Sequence, residues 1–325
     1  MLDRRQLMLG TAAAVAASAT SASAQAYPNR EVTLIVPWNA GGSNDIMARA
    51  LQPLLKEQGI SIIVENVAGA TGTVGMRRVA AAAPDGYTIG MGTSSTLAVI
   101  AQGKTPLKNE DFTHLARIST DPLMLLVPAK GPHQTIEQFI AHMKQNPGKV
   151  SIGTPGTYNV NHIFAAMTAK AAGVEYTNVP YPGGAKVVGD LTGGHIQAGV
   201  LKPSETIAQI QDNLIKPLGV FANERLAVFP DVPTFKEKGI DVFPYGPIVQ
   251  MAYLAGPANL PPEIRERIIG AFRKAMLDQR FKTFSDQNSF LVDDLTGKAL
   301  DEEVGKVAKA LKAVAEQVFP KEASN

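Results

Sequence analysis

The chain has 325 residues, of which 45% are hydrophobic and 18% charged, a folded composition long enough for one large or two ordinary domains. Its 31 basic and 29 acidic residues leave a net charge of +2, with no run of five like charges, which argues against a nucleic-acid partner. It has no cysteine, so disulfides, thiolate metal sites and Cys nucleophiles are excluded.

Residues 1–26 have the three-part layout of a secretory signal. Arg4 and Arg5 open it, a small-residue apolar run follows over 7–17, and A-x-A patterns end at Ala24 and Ala26. The run is too short to stay in a membrane as a spanning helix. Arg4-Arg5 before Gln6-Leu7-Met8-Leu9 resembles a twin-arginine signal, without the usual preceding Ser or Thr and the later Lys. Export to the periplasm is expected, and free ATP or NAD(P)H is not expected there.

Beyond the signal, strands alternate with helices. Residues 31–36 (EVTLIV) read as a strand. Ser43 is an N-cap candidate for a helix over 44–58, with Ile46, Ala50, Leu51, Leu54 and Leu55 at helical spacing. Strands follow at 61–67, 87–92, 123–127, 150–153, 176–179 and 215–221. Helices are expected at 73–83, from 96, and at 135–145, 161–172, 185–192, 262–278 and 300–318. Repeated strand–loop–helix units predict parallel sheets covered by helices, and roughly 300 residues exceed one comfortable core. The pattern suggests crossings between two domains at 118–127 and 249–254. That places 27–122 and 251–325 in a first lobe and 123–250 in a second, with hinge strands suited to closure.

Four loops carry the candidate chemistry. In Pro37-Trp38-Asn39-Ala40-Gly41-Gly42-Ser43-Asn44-Asp45, glycine at positive φ, expected at Gly42, lets backbone N–H groups form an anion nest ahead of a helix start. The same segment also reads as a plain turn capped by Ser43. Gly92-Thr93-Ser94-Ser95-Thr96, the loop from Thr154 through Gly156 and Thr157 to His162, and Tyr181-Pro182-Gly183-Gly184 repeat the pattern. Ligands of open α/β sheets sit outside the carboxyl ends of strands, so these loops predict one cleft. His162 reads either as a donor to an anion or as a local cap. Asp45 reads either as a first-turn acid or as an acceptor for a ligand amine or hydroxyl.

Enzyme motifs are weak. Gly69, Gly72 and Gly75 have the wrong spacing for a dinucleotide loop, and Gly103-Lys104-Thr105 lacks the first glycine of a P-loop, with Ala98 in its place. His114, His133, His142, His162 and His195 are dispersed without metal-ligand spacing. No catalytic residue, metal or cofactor is expected.

Tyr27-Pro28, with the segment from Ile35 through Trp38, Gly41-Gly42 and Asp45 to Arg49, resembles the N-terminal signature of the tripartite tricarboxylate transporter solute receptors, the Bug family. Val64-Glu65-Asn66 with Gly69 and Gly72, Ala83-Pro84-Asp85-Gly86-Tyr87-Thr88, Gly92-Thr93-Ser94, Val179-Pro180-Tyr181 with Gly183, Asp190-Leu191 with Gly194, and Phe229-Pro230-Asp231-Val232-Pro233-Thr234 follow in matching order. The resemblance covers residues 27–320. It implies a two-lobed periplasmic binding protein of the Venus-flytrap, type II-like kind, each lobe a mostly parallel sheet flanked by helices. Such a protein would bind a di- or tricarboxylate or an aromatic carboxylate through backbone N–H groups and small hydroxyls. It would pass the solute, as a monomer, to a membrane transporter with a large and a small subunit. Carried over by position, Ala40, Gly42, Ser43, Thr93, Ser94 and Ser95 would touch the ligand from one lobe. Gly156, Thr157, His162, Tyr181 and Gly183 would touch it from the other. Trp38 and Asn39 stand where the family often has Phe and Pro, and Ser43 where it often has a third Gly. The alternatives are a periplasmic α/β enzyme (a hydrolase or an atypical nucleotide-dependent reductase) or a receptor that presents its solute to a sensor protein.

Overall fold

The computed structural model describes residues 27–245 and 248–319, so the signal sequence expected over 1–26 lies outside the described residues. The described residues form ten strands: β1 (Val32–Val36), β2 (Ile62–Asn66), β3 (Thr88–Thr93), β4 (Phe112–Thr120), β5 (Leu123–Pro128), β6 (Ser151–Thr154), β7 (Thr177–Pro180), β8 (Ala198–Leu201), β9 (Ile215–Phe221) and β10 (Met251–Pro257). They form two five-stranded sheets, ordered β2-β1-β3-β10-β4 and β7-β6-β8-β5-β9. The result is a two-lobed α/β protein, as the alternation of elements predicts.

Central strands are continuous apolar runs because helices cover both faces. In β1, Val32, Leu34, Ile35 and Val36 are fully buried. The helix Ser43–Glu57 buries Met47, Leu51, Leu54 and Leu55, one stripe at helical spacing, against that sheet together with Phe272 of the helix Pro262–Leu277. In the other lobe Val187 and Leu191 of the helix Gly184–Thr192 pack on Met124 and Val220.

Each sheet contains one reversed strand. β1 pairs in parallel with β2 and β3, but β10 is antiparallel to both β3 and β4. β6 pairs in parallel with β7 and β8, but β5 is antiparallel to β8 and β9. These two strands are the ones that receive the chain as it arrives from the other sheet. The two passages lie side by side, joined by Asp121 N–H donating to Gln250 O at 2.8 Å.

The helix Gly297–Val318 spans both lobes. Near its start, His114 Nδ1 on β4 lies 2.9 Å from Asp301 Oδ1. Near its end, Lys170 Nζ on the helix Val160–Ala172 donates to Gln317 O at 3.0 Å, and Phe319 packs on His162. Its buried face, Leu300, Val304, Val307, Leu311 and Val314, joins a core containing Phe164 from one lobe and Tyr253 from the other. Leu311→Ala should therefore cost about 2–5 kcal/mol. Because the cluster is shared, urea unfolding followed by circular dichroism should show both lobes weakened in a single transition, not one lobe melting early.

Candidate functional site

A cleft with about 660 Å³ of empty space lies between the lobes. Its walls come from residues that follow the carboxyl ends of β1 (Trp38 to Asn44), β3 (Thr93, Ser95), β6 (Pro155, Asn161), β7 (Gly183 to Lys186) and β8 (Lys202, Glu205), with Gln250 from the second passage. Helices start at four of these places. Thr93 Oγ1 accepts from Thr96 N–H, and Asn159 Oδ1 accepts from His162 N–H, so two starts are capped by side chains.

The other two starts lack a side-chain cap. The helix Ser43–Glu57 has Gly42 as its N-cap, extended at φ −77°. The positive φ of this turn belongs to Gly41 (+80°), which corrects the expectation of a left-handed Gly42. The nest differs too: Gly41 N–H is taken by Asp45 Oδ2 at 2.9 Å and Gly42 N–H by Asn39 O at 3.4 Å. The donors left over, among the described residues, are the N–H groups of Ser43, Asn44 and Asp45 in the first helical turn. Facing them, the helix Gly184–Thr192 starts from Gly183, also without a side-chain cap.

The floor is charged. Lys202 is 6% exposed, and its Nζ donates to Asp121 Oδ2 and to Ser43 Oγ, each at 3.0 Å. Ser43 is thus the first helical residue and an acceptor across the cleft, not the N-cap. The half-buried Glu205 stands one 3-10 turn later, its Oε2 accepting from Lys202 N–H at 3.4 Å. A Cβ on Gly184 would lie 2.5 Å from Glu205 Oε1, so with any other residue there the carboxyl would have to shift. Burial pushes the Glu205 pKa up, and Asp121 adds to it, against the charge and N–H of Lys202.

The cleft gathers Trp38, Asn39, Ala40, Gly42, Ser43, Thr93, Ser95 and Gly183 from the sequence candidates. Asn39 Nδ2 reaches across to Pro182 O at 3.4 Å. The Ser95 hydroxyl has no protein partner among the described residues. The other candidates sit elsewhere. Ser94 Oγ donates to Val249 O at 2.6 Å and accepts from Met251 N–H at 3.1 Å, pinning the second passage. Asp45 faces Arg49, Gly41 N–H and Asn66. Burial works against its ionisation, but those bonds and the Arg49 charge hold its carboxyl below the usual range. Gly156 and Thr157 meet Thr71 of the opposite lobe, with Thr71 Oγ1 3.4 Å from Thr157 O. Tyr181 turns its hydroxyl to Asp190 Oδ2 at 2.7 Å. His162 Nδ1 accepts from Tyr158 N–H at 3.0 Å behind the cleft, with its ring against Phe319.

Sequence reasoning missed Lys202, Glu205, Asn161 and Gln250. The signal available for the first two was an apolar four-residue run, Ala198–Leu201, ending directly in Lys202-Pro203-Ser204-Glu205.

Residues 47–303 match the profile described as the tripartite tricarboxylate transporter family receptor. The chain belongs to this family. It is 33% identical to the "UPF0065 protein in gbd 5'region" of Cupriavidus necator, over 82% of either chain. It superposes with TM-score 0.84 on a solved periplasmic transporter structure, 28% identical, covering 90% of this chain and 98% of that one. MatC from Rhodopseudomonas palustris, solved with bound malate, is 25% identical with TM-score 0.81, covering 89% and 99%. The family is one of solute receptors, which sets the enzyme alternative aside.

Two structural roles are testable. Ser94→Ala leaves the buried Met251 N–H without its acceptor, a loss of about 1–3 kcal/mol in urea unfolding. Burial pushes the His162 imidazole down to about 4. Its neutral form is therefore favoured by folding, and that stability is intact above the unfolded value of about 6.5 and is lost as pH falls toward 4, by at most about 3 kcal/mol. The stability difference between wild type and His162→Gln should shrink over that window. Solute affinity at pH 7.5 should be unchanged in the variant, whereas a ligand-contacting His162 would lower it.

Proposed function

We propose that this chain is a periplasmic receptor that captures a small di- or tricarboxylate, or an aromatic carboxylate, between its lobes and delivers it to a tripartite tricarboxylate-type membrane transporter. The observation that carries the reading is the convergence of uncapped helix starts from both lobes on one cleft. Free N–H groups and the positive ends of helix dipoles are anion ligands, each dipole contributing about 0.3–1 kcal/mol, and up to ~2 when partly buried. The Ser95 hydroxyl and the remaining Lys202 N–H add donors of the kind a carboxylate accepts. The three-part sequence over 1–26 supports export, and the malate bound to the similar MatC of Rhodopseudomonas palustris supports the solute class. The protein acts as a monomer, and a transporter with large and small membrane subunits is the expected partner, with a sensor protein as the competing one.

Calorimetry and thermal melts across a panel of acids and their matched amides test this reading. One class of carboxylate should stabilise the protein by about 2.7 kcal/mol at a hundredfold excess over Kd, and the amides should not. Trp38 is the only tryptophan and lines the cleft, so the same titration should change its emission. Gly41→Val forces a β-branched residue to positive φ, at about 1–3 kcal/mol of strain, and should weaken binding more than Gly42→Val weakens it through backbone distortion. A panel without any shift sinks the reading.

A further inference from the structure

The cleft is built mostly of donors. The free N–H groups of Ser43 and Asn44, the Ser95 hydroxyl and the last Lys202 N–H all suit an acid, which offers only acceptors once ionised. Glu205 breaks this pattern. It lines the cleft, yet only its Oε2 is engaged, on the backbone of its own turn, and Oε1 has no protein partner among the described residues. Gln250, on the same cleft, likewise leaves its Oε1 without a partner.

The charge balance makes Glu205 more than a local cap. Lys202 is the cation that acts on it, and it is already paired with the buried Asp121 at 3.0 Å. Lys186 stands at the mouth and is exposed, so water screens it. A plain dicarboxylate entering this cleft would set an anion beside the Glu205 carboxyl with nothing between them. A solute that brings its own N–H or O–H donor would satisfy Oε1 instead. The carboxyl packs against Gly184, in the space a Cβ there would take.

We propose that Glu205 is a specificity-determining residue of this cleft, which selects acids carrying a hydroxyl or ammonium donor over the unsubstituted acids of the same length. The inference rests on the carboxylate-receptor reading above. The upward push that burial gives the Glu205 pKa agrees with it, because an unmatched charge there is disfavoured until a donor meets it.

The test is calorimetry on the mature protein with two matched series: succinate, malate and aspartate, then glutarate, 2-hydroxyglutarate and glutamate. Citrate and benzoate serve as controls. In the wild type, at least one substituted acid should bind roughly tenfold or more tightly than its parent, as expected where a site is built to pair a donor. The hydroxyl and ammonium arms identify which donor Glu205 takes. In Glu205→Gln, the same shape without the charge, the ammonium preference should collapse to within about twofold. In Glu205→Leu the hydroxyl preference should collapse as well. Far-UV melts establish that both variants are folded, and the wild-type ratios stand without them. Parent acids that bind as well as their substituted forms, or a preference that survives both variants, overturn the inference. Binding of citrate or benzoate alone overturns it while leaving the receptor reading intact. If no acid binds, both fall.

Discussion

The hydrogen bond from Asp121 N–H to Gln250 O holds together the two passages by which the chain leaves one sheet and comes back. A sheet that receives a strand from outside must take it in whichever direction it arrives. That is why β5 and β10 run opposite to the other four strands of their sheets. The cleft inherits its position from the same constraint. With the passages fixed at its base, the carboxyl ends of β1 and β3 must face those of β6, β7 and β8. Ser94 secures the arrangement by bonding the chain on both sides of Gln250, at Val249 O and Met251 N–H.

Two electrostatic features compete for control of the cleft. The Lys202–Asp121 pair is the more conspicuous, but its charges cancel, and removing one partner would cost about 3–5 kcal/mol because the other would be stranded in the interior. It serves mainly to join Ser43 of one lobe to β8 of the other. The helix starts at Ser43 and Gly184 carry no formal charge and no side-chain cap, and their two dipoles, at about 0.3–1 kcal/mol each, are the attraction available to an anion. An anion-binding site of this kind needs few charged side chains, which fits a chain whose basic and acidic residues are almost equal in number.

Much of this was legible in the sequence. The alternation of apolar runs with helical stripes gave the two-lobed α/β architecture, because β-branched runs such as 32–36 and stripes such as Met47, Leu51, Leu54 and Leu55 reflect burial directly. β8 escaped notice because AGVL is too short and too rich in small residues to signal a strand. β4 is nine residues of mixed polarity, and its role becomes visible only when β10 and the helix Gly297–Val318 cover it. The loops after β1, β3 and β7 were readable as donors from their glycines and hydroxyls. Which residues of a loop face the solute was not. Thr93 and Ser95 turn to the cleft while Ser94 between them turns to the hinge. His162 shares a helical turn with Asn161, yet Asn161 lines the cleft and His162 lies behind it, a difference of one residue's rotation about a helix axis. Lys202 was overlooked because a lone lysine after an apolar run usually marks a strand reaching solvent, and here it marks a strand reaching the other lobe.

The helix Gly297–Val318 changes the mechanics of such a receptor. Two hinge strands alone would form a soft joint, with the lobes wandering over many angles in the absence of solute. A rod anchored near Asp301 on one side and near Gln317 on the other acts as a brace along the back of the joint. Any change in the angle between the lobes must therefore carry this helix along or break its contacts on one side.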